Sequence, residues 1–310
     1  MAAPDRSQEP RSGIRSKRWF PLVWLIPAGL VVLVVGVLVA RYLRELPDIQ
    51  SFIATYPGET EIPAGTPVGF PWWLSWQHAL NAFFLLLIVR TGWQIGSGKR
   101  PPAFWTRNNQ GLVRTKNPPK RLSLYVWFHL VLDSLWVLNG LLYWVLLFVS
   151  GQWLRLVPMS WDVIPNAVSV GIQYLSLDWP THNGWVYYNA LQLLLYGFTV
   201  FIAAPVALFT GLRLSSIWPT RLQWVPGKPV RTLHVLTMIY FIGFTIAHVG
   251  LVLTTGALRN LNHMYAGRDD ESWIGLAVFA ALNVVMIVGW VVARPAVLQR
   301  LAALGGTVQK

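Results

Sequence analysis

Two histidines in one apolar stretch have the spacing of ligands on a single membrane-spanning helix. His234 and His248 lie fourteen residues apart within residues 231–256, a stretch apolar enough and long enough to cross a bilayer. At about 1.5 Å and 100° per residue, they are roughly 21 Å apart along the helix axis and within about 40° of one face. A hydrocarbon core is about 30 Å thick, so one imidazole is expected near each edge. The arrangement favours ligands to two stacked prosthetic groups over histidines that only pack in the interior.

The composition indicates an integral membrane protein and narrows the metal chemistry. Hydrophobic residues make up 54% of the 310 residues and charged residues 12%, about half the usual globular share. The chain contains no cysteine, which excludes disulfides, thiolate-bound iron–sulfur or zinc sites and covalently attached haem. Histidine is therefore the expected ligand for a redox metal. We interpret the net charge of +13 as a topology signal in loops, and not as nucleic-acid binding.

The apolar runs predict an all-α fold, a polytopic membrane helical bundle with six transmembrane helices. A polar N-terminus, residues 1–18, is predicted to be disordered and cytoplasmic. An uncleaved anchor helix follows over 19–43, because the run is too long for a signal-peptide core and lacks a clear cleavage site. The other spans are predicted at about 72–93, 122–149, 186–212, 231–256 and 273–292, with a short interfacial helix between the third and the fourth.

The distribution of charge predicts the orientation of the bundle. Of the 25 lysines and arginines, 18 lie in the N-terminus, in loops 94–121 and 213–230, and in the C-terminal tail. The alternate loops hold nine of the twelve acidic residues. Six crossings of a cell (inner) membrane with both termini in the cytoplasm fit the positive-inside rule without exception.

Depth in the membrane pairs four histidines across the bundle. His129 and His234 each follow a basic loop, so both are expected near the cytoplasmic edge. His78 begins a span that enters from the outer side, and His248 lies near the outer end of its helix. A haem with two axial imidazoles needs one histidine from each of two helices at the same depth. The pattern predicts two haem-iron sites, His129/His234 and His78/His248, with metal-free packing as the alternative.

The segments around these histidines resemble the di-haem b-type cytochrome membrane subunits of nickel–iron hydrogenases, formate dehydrogenases and thiosulfate reductases. The matching segments are WLSWQHALN with His78, YVWFHLVLD with His129, and LHVLTMIYFIGFTIAHV with His234 and His248. In that family the fourth core helix carries no haem ligand, as in span 186–212 here. The resemblance covers residues 70–260, expected to form a four-helix di-haem core. Residues 261–310 are expected to form an outer loop, the sixth helix and a cytoplasmic tail.

The resemblance implies two haem b cofactors, a quinone, and a soluble or peripheral redox subunit of the molybdenum or nickel–iron type. The cytochrome b of bc complexes is less similar, because there two helices each carry a histidine pair and here only one does. The family core commonly starts from a cytoplasmic N-terminus. The extra anchor helix here adds one crossing before the core, so the core is expected to have the reverse orientation in the membrane. The partner subunit would then dock on the basic cytoplasmic face.

The start of the fourth span carries candidates for a quinone site. The segment YNALQ over 188–192 looks like the Tyr-Asn-x-x-Gln segment of formate dehydrogenase membrane subunits, where the asparagine lies at the quinone site beside one haem. The resemblance implies a quinone pocket formed by Asn189 and Gln192 beside the haem held by His248. The alternative is that both are polar residues at an interfacial helix end.

Five further residues lie where they could support a haem. Arg121 and Arg231 lie near the starts of the helices that carry the cytoplasmic histidines, so they are candidates for propionate contacts or are plain positive-inside anchors. Asp133 lies one helical turn after the histidine of its span, where it could orient that imidazole or act as a protonated structural donor. Gly140 and Gly243 are candidates for close approach of a porphyrin or for helix contacts.

The favoured function is transmembrane electron transfer between a quinone pool and a partner redox enzyme. The sequence contains no glycine-rich phosphate loop and no hydrolase triad at a recognisable spacing, so no catalytic residue is assigned. Two other classes of function remain as alternatives. A carrier or channel would use polar residues in the membrane for transport, and a structural anchor would pack its histidines without metal.

Overall fold

A computed structural model describes residues 20–110, 114, 118–179 and 183–310, so the segment predicted to be disordered lies outside the described residues. In chain order the elements are α1 (Phe20–Glu45), α2 (Pro47–Thr55), α3 (Trp72–Gly96), β1 (Phe104–Arg107), β2 (Leu122–Ser123), α4 (Leu124–Val149), α5 (Val163–Leu175), α6 (Ala190–Phe198), α7 (Ala204–Leu214), α8 (Gly227–Thr254), α9 (Ala257–Leu261), α10 (Ile274–Val292), α11 (Pro295–Ala303) and β3 (Gly306–Gln309).

Six of the described helical segments are long and apolar enough to cross a membrane: Val23–Glu45, Trp72–Gly96, Leu124–Val149, Ala190–Leu214, Gly227–Thr254 and Ile274–Val292. Most of their large apolar side chains are exposed on the chain's own surface, as expected where lipid replaces water as the solvent. The predicted all-α membrane bundle is confirmed.

The two ends of the bundle differ in charge. The end that we call the basic end carries residues 97–110, 114, 118–123, 215–226 and 293–310. The opposite end, which we call the acidic end, carries residues 46–71, 150–179, 183–189 and 255–273. By the positive-inside rule the basic end is the one predicted to face the cytoplasm.

The core of the bundle consists of two helix pairs. α3 packs along α4, and α7 packs along α8. One cluster of buried apolar side chains lies at the basic end, where α3 and α4 meet the C-terminal tail. A second cluster lies at the acidic end between α5 and α6. Packing is therefore extensive within each helix pair and within the cluster at each end. The histidines lie where the α3/α4 pair faces α8.

The fourth span is one helix with a π-helical turn in its middle. α6, the turn Thr199–Ala203 and α7 run continuously over Ala190–Leu214. Pro205 lacks a backbone N–H and its ring excludes the carbonyl four residues earlier, and a wider turn accommodates both effects. A capping box on Asn189 starts the helix at Ala190, four residues later than the predicted start at 186.

A small sheet at the basic end corrects the prediction of an irregular loop and tail there. β1 pairs antiparallel with both neighbours in the order β2-β1-β3. Trp105 pairs with Leu122 on one side and Val308 on the other, and its indole Nε1 donates to the Ala302 carbonyl at 2.9 Å. These short strands are far apart in the chain, so local sequence patterns carry no signal for their pairing.

The acidic end also contains more helix than predicted. The segment expected to be a loop over 43–71 contains α2, and the loop expected over 257–272 contains α9 and a π turn, Asn262–Ala266. Between the third and fourth spans, α5 is the predicted short interfacial helix. α1 packs against α2 and α5, and Arg44 near its end forms an ion pair with Asp178.

Two glycines bring α10 close to its neighbours. A Cβ built on Gly275 would lie 2.4 Å from backbone atoms of Leu261 and Asn262, and one built on Gly289 would lie 2.6 Å from the Phe83 ring. A larger residue at position 275 would require a backbone shift, and one at position 289 would require the Phe83 ring to move. Gly275 thereby presses α10 against the π turn, which carries one of the tyrosines of the site described below.

Candidate functional site

The structure brings the four predicted histidines together in two pairs. At the acidic end the ring of His78, on α3, faces the ring of His248, on α8, with centroids 6.2 Å apart and planes at 55°. At the basic end the ring of His129, on α4, faces the ring of His234, also on α8, with centroids 6.4 Å apart and planes at 78°. Each pair joins one helix of the α3/α4 pair to α8.

The separation of the rings matches the separation expected across one metal ion. With metal–nitrogen bonds of about 2.0 Å, two imidazoles on opposite sides of an iron have centroids about 6.3 Å apart. The observed centroid distances of 6.2 and 6.4 Å lie on either side of that value. Directly packed aromatic rings also fall in this range, so the remaining ring atoms have to be considered.

The basic-end histidines are each held by a threonine from the neighbouring helix. Thr91 Oγ1 lies 2.7 Å from Nδ1 of His129, and Thr210 Oγ1 lies 2.8 Å from Nδ1 of His234. Each hydroxyl also donates to a backbone carbonyl of its own preceding turn. Because its proton is used there, each hydroxyl accepts from Nδ1–H. That tautomer leaves the Nε2 lone pair of each ring free to bind a metal.

A glycine follows each of these threonines and lies against the same ring. A Cβ built on Gly92 would lie 3.6 Å from Cε1 of His129, and one on Gly211 would lie 3.5 Å from Cε1 of His234. The Thr-Gly dipeptides at 91–92 and 210–211 therefore form equivalent cradles on α3 and α7. Sequence reasoning missed both, although the repeated dipeptide on two spans was a usable signal.

The acidic-end histidines have tyrosines as the partners of Nδ1. The Tyr265 hydroxyl lies 3.2 Å from Nδ1 of His78, and the Tyr196 hydroxyl lies 3.5 Å from Nδ1 of His248. Phe244 stacks on the His248 ring with centroids 5.6 Å apart and planes at 5°. All four histidines thus have a hydroxyl group at Nδ1, which is the orientation that histidine ligands commonly have in metal sites.

Asp133 does not orient the imidazole of its own helix. Its Oδ2 lies 3.7 Å from Nε2 of His129, beyond hydrogen-bond distance. Nδ1 of that ring is occupied by Thr91 from α3. Residues four apart on a helix share a face, but here the neighbouring helix supplies the closer partner.

The roles of Arg121, Arg231, Gly140 and Gly243 as haem contacts stay predictions. Arg121 and Arg231 are exposed at the basic end, and the Arg121 guanidinium lies 4.1 Å from the centre of the Phe104 ring. A Cβ built on Gly140 or Gly243 would meet nothing within 4 Å. At 100° per residue, Gly243 lies roughly 160° around α8 from the histidine face. The glycines that contact the histidines are therefore on α3 and α7.

Asn189 and Gln192 form a reciprocal capping box at the start of α6. Asn189 Oδ1 accepts from the Gln192 backbone N–H at 2.9 Å, and Gln192 Oε1 accepts from the Asn189 backbone N–H at 3.2 Å. Asn189 Nδ2 donates to the Tyr174 hydroxyl at 3.1 Å, and Gln192 Nε2 donates to the Tyr196 hydroxyl at 3.4 Å. Gln192 thus connects the helix start to the tyrosine beside His248.

An Asn189→Ala variant is expected to lose about 1 kcal/mol of stability, because it removes the cap of a buried helix start and leaves the half-buried Tyr174 hydroxyl without its donor. Asn189→Ser retains a capping oxygen and should recover most of that loss. Thermal unfolding in detergent measures both variants. Quinone turnover measured on the Ser variant separates the cap from a direct quinone contact. Unchanged stability in the Ala variant would contradict the capping role.

A cavity of about 260 Å³ lies beside this capping box at the acidic end. Its lining includes Glu59, Tyr188 and Asn189. The Tyr188 ring packs edge-on against the Tyr196 ring with centroids 5.1 Å apart, and Tyr196 in turn contacts His248. The cavity is therefore separated from the acidic-end histidine pair by two tyrosine rings.

The other described histidine belongs to a loop network. His263 Nε2 and Arg259 Nε each lie 2.7 Å from Asp269 Oδ1. These bonds, from Arg259 first and then His263, hold the pKa of Asp269 well below its usual value. Burial lowers the pKa of His263 despite the neighbouring carboxylate, so its ring is neutral near pH 7. His182 lies outside the described residues.

Comparison of the chain with models of known protein families, with curated proteins and with solved structures gave no match.

Proposed function

We propose that the chain is a transmembrane electron-transfer subunit that holds two non-covalent haem b groups and links a quinone pool to a partner redox enzyme. The observation that carries the proposal is the pair of histidine separations, 6.2 and 6.4 Å between ring centroids, at two depths of one bundle. Both are close to the value of about 6.3 Å for two imidazoles on one iron.

The surroundings of the rings fit a haem better than simple packing. All four rings have Nδ1 beside a hydroxyl group, and at the basic end Thr91 and Thr210 accept from Nδ1–H, which leaves Nε2 of both rings free for a metal. The two helix pairs are packed within themselves, and the histidines project from the sides that face each other. Histidines at membrane depth are costly and are usually functional.

When bound, haem supplies one-electron chemistry between ferric and ferrous iron. The residues of the chain bind and orient it. α8 would provide one ligand at each depth, roughly 21 Å apart along its axis by its helical rise. His78 on α3 and His129 on α4 would provide the others, and the neighbouring hydroxyl groups would hold the rings in place. The apolar spans keep water away from both sites.

The proposal assigns the quinone to the acidic end and the partner to the basic end. The cavity beside Tyr188 is linked to His248 through Tyr196 and could take an aromatic headgroup. At the opposite end, the lysines and arginines of loop 94–121 form a basic surface that suits an acidic patch on a redox subunit. The same basic residues support placement of this end, with both termini, at the cytoplasmic side of the cell membrane.

A reduced-minus-oxidised spectrum of the purified protein, with haem and protein quantitation, tests the proposal. We expect a b-type spectrum and two haems per chain, with no haem left on the chain after acid–acetone extraction, since the chain has no cysteine for covalent attachment. A preparation that is folded and monodisperse but lacks a chromophore would overturn the proposal and favour a carrier or a haem-free anchor. One haem per chain would contradict the two-site part.

A further inference from the structure

A buried arginine lies at the acidic end without an acidic partner. Arg155, at the end of the short 3₁₀ helix Gln152–Arg155, is 1% exposed. Its guanidinium donates to the carbonyls of Gly69 at 2.8 Å, Trp185 at 3.1 Å and Gly184 at 2.6 Å. These neutral acceptors satisfy hydrogen bonds, but they do not neutralise the charge.

No ion pair of Arg155 with an aspartate or glutamate is found among the described residues, and its buried Nε atom has no hydrogen-bond partner there. The guanidinium lies 4.8 Å from the centre of the Phe70 ring and 4.9 Å from that of Tyr188, so aromatic faces provide part of its stabilisation. Burial lowers the pKa of Arg155, with smaller opposing effects from Tyr188 and Tyr187, but an arginine stays protonated at neutral pH. A permanent positive charge is therefore buried here.

The charge lies in the aromatic shell that surrounds the acidic-end histidine pair. On one side, Tyr188 contacts Tyr196, whose hydroxyl is the Nδ1 partner of His248. On the other side, the Phe70 ring stacks on His263 with centroids 5.9 Å apart. Phe70 lies two residues before the start of α3, which carries His78. His263 lies in the same π turn as Tyr265, the Nδ1 partner of His78.

The surroundings of the basic-end pair differ in charge and in exposure. Arg121 and Arg231 are exposed, and Arg90 and Arg213 are half-buried, so solvent and salt screen these charges more than that of Arg155. The Asp133 carboxyl lies 3.7 Å from His129 Nε2. A buried charge is screened much less than an exposed one and acts over a longer distance.

We infer that Arg155 sets the order of the two haem potentials, making the acidic-end haem the more easily reduced of the two. This inference rests on the proposed function. Reduction adds one electron to a ferric haem and lowers its net charge by one, so a fixed cation nearby stabilises the reduced form. Electrons supplied at the basic end then accumulate at the acidic end, beside the cavity. Arg155 does not bind the iron in this scheme, and it acts on the haem only through its electric field.

The test is a mediated redox titration of the purified protein with dithionite as reductant, followed in the haem bands. Arg155→Gln removes the charge but keeps a donor for the carbonyls of Gly69 and Gly184. We expect this variant to lower the potential of the acidic-end haem only. The electron-sharing equilibrium between the haems should change by roughly tenfold, as for unit charges about 10 Å apart at an effective dielectric constant of about 20.

Three controls make the outcome specific. Arg155→Lys keeps the charge and should restore the potential. Arg268→Met removes a charge that is 54% exposed at the same end and should leave both potentials unchanged. In a His129→Ala background only the acidic-end haem should remain, so a change in potential measured there is assigned to that haem. Two haems with unchanged potentials in a folded Gln variant would overturn the inference and leave the proposed function standing. A wild-type protein without haem would instead refute the proposed function itself.

Discussion

We expect the His248→Ala variant to bind one haem per chain, in place of the two proposed for the wild-type chain. His248 faces His78 at a centroid distance of 6.2 Å, so its removal leaves the acidic-end iron with one protein ligand. Haem b has no covalent link to the chain and depends on axial ligation and packing. The basic-end pair lies roughly 21 Å away along α8 by its helical rise and keeps both histidines. Haem quantitation and the reduced spectrum measure the loss.

His263→Ala is the matched control for this variant. His263 is also at the acidic end and is 5% exposed, but its ring faces Phe70 and Trp185 and its Nε2 contacts Asp269. That substitution should cost stability through the loop network and leave two haems bound. Equal haem loss in the two variants would show that the His248 effect is a general loss of folding. Full haem content in His248→Ala would remove that residue from the ligand set.

Replacing Thr210 by valine is the second change with a large expected effect. Valine has nearly the shape of threonine but cannot accept the proton on Nδ1 of His234, 2.8 Å away. The ring then loses both its fixed tautomer and its orientation, a change that typically costs 10–100-fold in metal affinity. We expect the haem at the basic end to dissociate faster by about that factor, while the haem at the acidic end is retained. Haem transfer to apomyoglobin measures the rate.

Thr237→Val provides the comparison. Thr237 is 7% exposed on α8, close to His234, but its hydroxyl donates only along its own helix, to the Leu233 carbonyl at 2.9 Å. This variant should keep the wild-type dissociation rate. Thr91→Val should reproduce the Thr210 effect, because Thr91 holds His129 in the same way. A Thr210 variant no faster than the Thr237 variant would contradict the orienting role.

The spans and the depth of each histidine could be predicted because both follow from composition along the chain. Apolar length predicts a crossing, and alternating basic loops indicate which end of each crossing is near which edge. The six-helix bundle was confirmed on these grounds. The structure also brings together the same two histidine pairs that depth indicated, although their role as haem ligands stays a prediction.

The partners of the histidines could not be predicted, because they depend on helix rotation. Thr91 and Thr210 meet histidines of other helices, and only the packing of α3 on α4 and of α7 on α8 fixes those contacts. Gly243 lies between His234 and His248 in the chain, but roughly 160° around the axis of α8 from the face that carries them. The sheet at the basic end joins segments that carry no local signal for each other. Arg155 was missed because its burial comes from loops that pack in three dimensions.

α8 contributes to both sites, while α3 and α4 each contribute to one. A shift of α8 along its axis, or a rotation about it, would move one histidine of each pair at the same time. The geometries of the two pairs are therefore coupled through this one helix. The number of residues between the two histidines, thirteen, sets their angular relation, because one insertion would rotate one of the rings about 100° away from its partner. A one-residue insertion in this part of α8 is therefore expected to separate one histidine pair and leave the other in place.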